Sequence, residues 1–220
     1  MDRFTLGKMQ NPIRGLLHGA AAVAAVIGLF ILVGQAWGNT GAALGALVFG
    51  LALLAMFVVS SLYHSIPWSA GWKVRLQRID HSMIFLLVAG TFTPIAIAAI
   101  DGAVLVVLLT ALWLTALTGI VLKVAMPNVK TSLSVTLQMI MGWSALLLMP
   151  WVYSRLGIGA VLLIALGGLC YTFGTVIFMK KSPKLFPRTF SYHELFHVLV
   201  IAGATFHFFA VLWYAIPATV

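Results

Sequence analysis

His193-Glu194-Leu195-Phe196-His197 sets two imidazoles four residues apart. On a helix that is one turn plus about 40°, so both rings can reach one metal ion. Ionisable side chains inside apolar segments are costly, and those that persist usually mark a working site. Few are present here: the chain has 4 acidic residues and 6 histidines among 220 residues. Ser60 and His64 lie one turn apart near the end of one apolar run, and Asp80 opens the next. His64, His193 and His197 are therefore candidate metal ligands, with Asp80 and Ser60 as candidate catalytic groups. Three neutral imidazoles leave one coordination position open, the arrangement of a catalytic zinc site. Zinc held there makes water nucleophilic near neutral pH, and a carboxylate such as Asp80 can orient that water or take its proton. The Ser60 hydroxyl can hydrogen-bond the water or a substrate carbonyl. The chemistry suits hydrolysis of an amide or ester at the inner-leaflet interface. The competing reading is structural, with histidines hydrogen-bonded to one another and to carbonyls, holding helices together.

The same five residues fit the pattern in which a glutamate is general base of a zinc protease. Intramembrane proteases of that kind take a further aspartate ligand from a later span, whereas no Asp or Glu follows His197. The protease reading is accordingly disfavoured. Glu194 projects about 100° from His193, and can face the site or snorkel to the interface. His207, about 15 Å further along the helix, is too far to share the same ion and reads as a hydrogen-bonded interior residue. His18 reads as packed or interfacial, and His81, offset about 100° from Asp80, as a structural residue with support of the site as the alternative.

The elements that must position these residues are membrane helices. Hydrophobic residues make up 62% of the chain, charged residues 8%, and mean hydropathy is +1.10. Apolar runs of about 20 residues recur, and they lack the alternation of a transmembrane barrel. The expected fold is all-α, a seven-helix bundle over Leu16–Ala36, Ala42–Tyr63, Ile79–Ala99, Val104–Lys123, Leu133–Tyr153, Ile158–Met179 and Tyr192–Tyr214. Residues 1–15 and 216–220 are expected to be short tails. Turn signals separate the runs, among them Gly38-Asn39-Thr40, Asp101-Gly102 and Pro127-Asn128. Gly41 and Gly45 fit a close helix contact. The first run is longer than the apolar core of a signal peptide and reads as an uncleaved helix.

Of the 13 lysines and arginines, all but Arg155 fall in the N-terminal tail or the even-numbered connections, at Arg3, Lys8, Arg14, Lys73, Arg75, Arg78, Lys123, Lys130, Lys180, Lys181, Lys184 and Arg188. This asymmetry predicts a cytoplasmic N-terminus and an external C-terminus. It also accounts for the net charge of +9 without nucleic acid. Ser60, His64, Asp80, His193 and His197 all fall at the cytoplasmic ends of their helices. Cys170, the single cysteine, excludes an internal disulfide and any CxxC metal site.

Ser60-Ser61-Leu62-Tyr63-His64, Asp80-His81, Ala89-Gly90-Thr91-Phe92-Thr93-Pro94 and His193-Glu194-Leu195-Phe196-His197 together resemble the bacterial hemolysin III proteins. These are the prokaryotic branch of the progestin and adipoQ receptor family, which includes the adiponectin receptors. The resemblance spans about Asn11 to Tyr214. It implies a seven-helix plasma-membrane protein with zinc in the cytoplasmic half of the bundle, held by His64, His193 and His197. It further implies that Asp80 meets the zinc through water, with Ser60 one turn before the first ligand. The wider superfamily includes alkaline ceramidases, which suggests a ceramidase-like lipid amidase that tunes membrane composition or fluidity. Two features depart from the receptors: their long cytoplasmic N-terminal domain has no counterpart here, and Glu194 is acidic. Competing functions are a non-enzymatic sensor with structural zinc, and membrane permeabilisation leading to cytolysis. In each case the expected partners are membrane lipids, as substrate or ligand.

Overall fold

The computed structural model describes residues 9–126, 130–186 and 189–220. Arg3, Lys8, the Pro127-Asn128 turn and Arg188 lie outside the described residues. Those described are helical apart from connections and one isolated bridge between Phe186 and Phe190. Helix α1 spans Pro12–Gln35, α2 Thr40–Ser65, α3 Ala70–Ala99 and α4 Gly102–Ala125. Helix α5 spans Thr131–Trp143 and runs through a 3-10 segment, Ser144–Leu148, into α6, Met149–Lys180. Helix α7, Tyr192–Ala210, continues through a π turn, Val211–Ala215, to a last helical turn, Ile216–Thr219. Among the described residues, 6 stretches are long and apolar enough to cross a membrane, the fifth being Thr131–Lys180 at 50 residues.

That fifth stretch is not one straight rod. Straight, it would measure about 75 Å, more than twice the hydrocarbon thickness. Gly157 interrupts it at φ 80° and ψ 176°, a conformation that only glycine adopts without strain. Contacts on either side show the chain doubling back. The Gln138 amide of α5 donates to the His81 carbonyl of α3 at 2.8 Å, and the Phe178 ring of α6 lies 6.5 Å from the His81 ring. Between them, Arg155 pairs at 2.6 Å with Asp101, beyond the opposite end of α3.

Helix α3 begins at Ala70, nine residues before the expected Ile79. Its first turns are largely exposed and mix apolar residues with Lys73, Arg75 and Arg78, the Arg75 guanidinium lying 5.3 Å from the Trp72 ring centre, so hydropathy alone does not reveal them. Helix α1 begins at Pro12 rather than Leu16, since proline suits the first helical position. The last helical residues reach Thr219 rather than Tyr214.

Helices α1, α2 and α3 pack as antiparallel neighbours. A Cβ on Gly45 would come within 3.0 Å of the Pro94 backbone, so glycine is what lets α2 close on α3 there. Pro94 removes one helix hydrogen bond. The Thr91 and Thr93 hydroxyls donate to the Leu87 and Ala89 carbonyls at 2.8 Å, and the Trp113 indole donates to Thr93 at 3.1 Å, tying α4 to this point. At one end of the bundle the Asn11 amide donates to the His64 carbonyl at 2.9 Å. At the other the Asn39 side chain donates to the Thr219 carbonyl. The beginning of α1 and the end of the last helix are therefore at opposite ends.

Candidate metal centre

His64 sits in the last turn of α2, and His193 and His197 in the first two turns of α7. Two polar devices fix the start of α7. One Glu194 oxygen accepts the Ser191 amide at 2.9 Å, closing the first turn. The other accepts the Arg14 guanidinium of α1 at 2.6 Å. Both side chains of that ion pair are nearly buried, 14% and 9% exposed. Both Glu194 oxygens are thereby engaged, and the side chain, 7% exposed and absent from the cavity wall, neither faces the cavity nor snorkels to the interface.

With α7 so placed, His64, His193 and His197 each offer a ring nitrogen, all within 4.8 Å of one another. Their ring centres lie 4.9, 5.1 and 5.3 Å apart. The structural alternative requires hydrogen bonds among these imidazoles or to carbonyls. Among the described residues none is present, and Nδ1 of both His64 and His197 is buried without a partner. Three close, neutral-capable nitrogen donors with no protein acceptor fit a divalent cation such as zinc, which imidazole nitrogens bind at about 2.0–2.1 Å.

A cavity of about 340 Å³ begins at this cluster and runs into the bundle. His193, His197, Asp80 and Ser60 line it, and the Ser60 hydroxyl faces the Asp80 carboxylate. Asp80 is half-buried because it borders this space, whereas Ser60 is 3% exposed. The sequence-derived residues thus converge, with His64 behind the cavity wall and the others on it.

His18 is packed, one of its two sequence readings, but its place against the histidine cluster was not anticipated. Its ring centre is 4.0 Å from that of His197, it is 3% exposed, and neither ring nitrogen has a hydrogen-bond partner. The available signal was Arg14 and His18 four residues apart, one face of α1 meeting α7 twice. His207 is an interior residue, its Nε2 3.2 Å from the Ile164 carbonyl and its ring 5.4 Å from that of Tyr171. A Cβ on Gly167 would overlap that ring.

Six apolar helical stretches and a three-histidine cluster, two members buried and His193 partly so, define a class: a multi-pass membrane protein, consistent with the plasma membrane, with a site able to hold a metal ion. The chain belongs to the haemolysin-III related family, whose model matches residues 7–208. It is 31% identical to Hemolysin-3 of Bacillus cereus over 221 residues, covering 99% of this chain and 97% of that one. It is also 31% identical to the Hemolysin-3 homolog of Bacillus subtilis (strain 168) over 204 residues, 91% and 92% of the two chains. A more distant relative is the monocyte to macrophage differentiation factor of Homo sapiens, 24% identical over 176 residues, 77% of this chain and 69% of that one.

Proposed function

We propose that this chain is a seven-helix, zinc-dependent hydrolase of lipid amide or ester bonds, acting near the inner leaflet and adjusting membrane lipid composition. The observation that carries the reading is the convergence of His64, His193 and His197 with a cavity walled by Asp80 and Ser60. The seven-helix count is supported by the reversal at Gly157, and the cytoplasmic N-terminus by the exposed Lys73, Arg75, Lys130, Lys180 and Lys181 at the His64 end.

His64, His193 and His197 would hold the ion. Bound there, zinc supplies Lewis acidity toward a carbonyl and makes water nucleophilic near neutral pH. Asp80 takes the proton of the attacking water and returns it to the leaving amine or alcohol. Ser60, facing Asp80, keeps the carboxylate oriented and can donate to the substrate carbonyl. Trp143, Leu146 and Leu169, on α5, the 3-10 segment and α6, line the cavity and are exposed, which supports lateral access from the bilayer on that side. An acyl chain can enter there directly from the bilayer.

The test is turnover of a panel of labelled lipid amides and esters by detergent-purified, zinc-loaded protein, wild type beside Asp80→Asn. The expected result is hydrolysis by the wild type and a loss of about 10²-fold or more in the variant, with metal content unchanged. No turnover by zinc-loaded wild type, or full activity in Asp80→Asn, overturns the proposal.

A further inference from the structure

Lys123, in the last turn of α4, behaves unlike every other described lysine. Lys73, Lys130, Lys180, Lys181 and Lys184 are exposed, as expected of residues that reach for water and headgroups. Lys123 is 7% exposed and lines the cavity. It has no carboxylate partner among the described residues. The chain has 4 acidic residues. Asp101 pairs with Arg155 and Glu194 with Arg14, Asp2 lies outside the described residues, and Asp80, on the same cavity, is not within ion-pair distance of Lys123. A lysine with so little accessible surface and no carboxylate beside it favours an anionic neighbour on the cavity side.

The start of the next helix, in contact with α4 and lining the same cavity, is suited to supply the remaining contacts. Helix α5 is 13 residues long and starts at Thr131 with no side-chain cap. Its first amides lack intrahelical acceptors and present the positive end of the helix dipole. Ser134, in that first turn, is 4% exposed, lines the same cavity and has a hydroxyl without a partner. Gln138, one turn further, also lines it and is anchored by its amide to the His81 carbonyl at 2.8 Å.

We infer that Lys123 and Ser134, with the first turn of α5, form an oxyanion subsite in the cavity beside the candidate metal centre, receiving the acidic group of a lipid. The inference rests on the cavity being a lipid site, as proposed above, and not on hydrolysis. Carboxylate and phosphodiester share the chemistry required: a negatively charged oxygen that accepts from the ammonium and the hydroxyl at once. The source is either a free fatty acid or an anionic phospholipid headgroup.

The experiment is native mass spectrometry of the full chain released from detergent, titrated separately with oleate, phosphatidylglycerol, phosphatidylcholine and inorganic phosphate. Wild type is compared with Lys123→Met, Lys123→Arg, Ser134→Ala and, as an exposed-charge control away from the cavity, Lys73→Met. Loss of one charge-assisted contact should weaken adduct formation about tenfold in Lys123→Met. Lys123→Arg and Lys73→Met should stay near wild type, Ser134→Ala should fall between, and phosphatidylcholine should be indifferent to all of them. Selective loss of oleate identifies the fatty-acid carboxylate; loss of phosphatidylglycerol identifies the headgroup; loss of inorganic phosphate alone, with both lipids retained, overturns the assignment to a lipid. Equal retention of all three anions by folded Lys123→Met and wild type overturns the subsite, whether or not the protein hydrolyses anything.

Discussion

Replacing Glu194 by Gln isolates what the Arg14–Glu194 pair contributes. Glutamine keeps an oxygen for the Ser191 amide, so the first turn of α7 stays closed, but the charge opposite Arg14 disappears. With side chains only 14% and 9% exposed, solvent cannot easily rescue the guanidinium left behind. Removing one partner of a buried pair costs about 3–5 kcal/mol, and the position of this one near a helix end favours the lower value, about 3 kcal/mol. Arg14→Met should cost a similar amount. The double variant, in which no unpaired charge remains, should be more stable than the sum of the singles predicts by about 2 kcal/mol. Unfolding in mixed micelles with increasing denaturing detergent, followed by circular dichroism, measures all four corners of the cycle. Additivity within about 0.5 kcal/mol would refute the reasoning, because it would mean that the charges do not sense each other across α1 and α7.

Neighbouring glycines in α6 should respond in opposite ways: Gly167→Ala pushes a methyl into the His207 ring and should cost about 1–3 kcal/mol, whereas Gly168, with nothing near its Cβ position, should tolerate alanine or gain slightly from it. The same unfolding assay distinguishes them. Gly45→Ala, directed at the Pro94 backbone rather than at a movable side chain, should destabilise by about 1–3 kcal/mol. Arg155→Ala should change stability by less than about 0.5 kcal/mol, since both members of the Arg155–Asp101 pair are largely exposed.

Much of the architecture is legible in hydropathy and turn chemistry, because a bilayer forces its backbone to hydrogen-bond internally and leaves helices as the economical solution. The reversal near Arg155 and the pairing of α2 with α7 through His64, His193 and His197 both follow from residues visible in the sequence. Polar helical turns were not legible. Residues 70–78 carry lysine and arginines on an exposed face, so the apolar run that announces α3 begins well after the helix does. Nor were the roles of isolated polar residues. His18 meets His197 only because α1 packs against α7, and Lys123 reads as an ordinary topology lysine until its burial is seen. Glu194 was ambiguous for a related reason: which way a side chain points at a helix start depends on the cap and on Arg14, a residue 180 positions away.

Metal content tests the central claim most directly. Plasma mass spectrometry should be run on detergent-purified wild type beside a His193→Ala/His197→Ala variant, each confirmed as folded by circular dichroism. The account predicts about one zinc per chain in the wild type and nearly none in the variant, as three imidazoles around one ion require. Folded wild type without zinc after incubation with the metal, or unchanged zinc in the double variant, would contradict it.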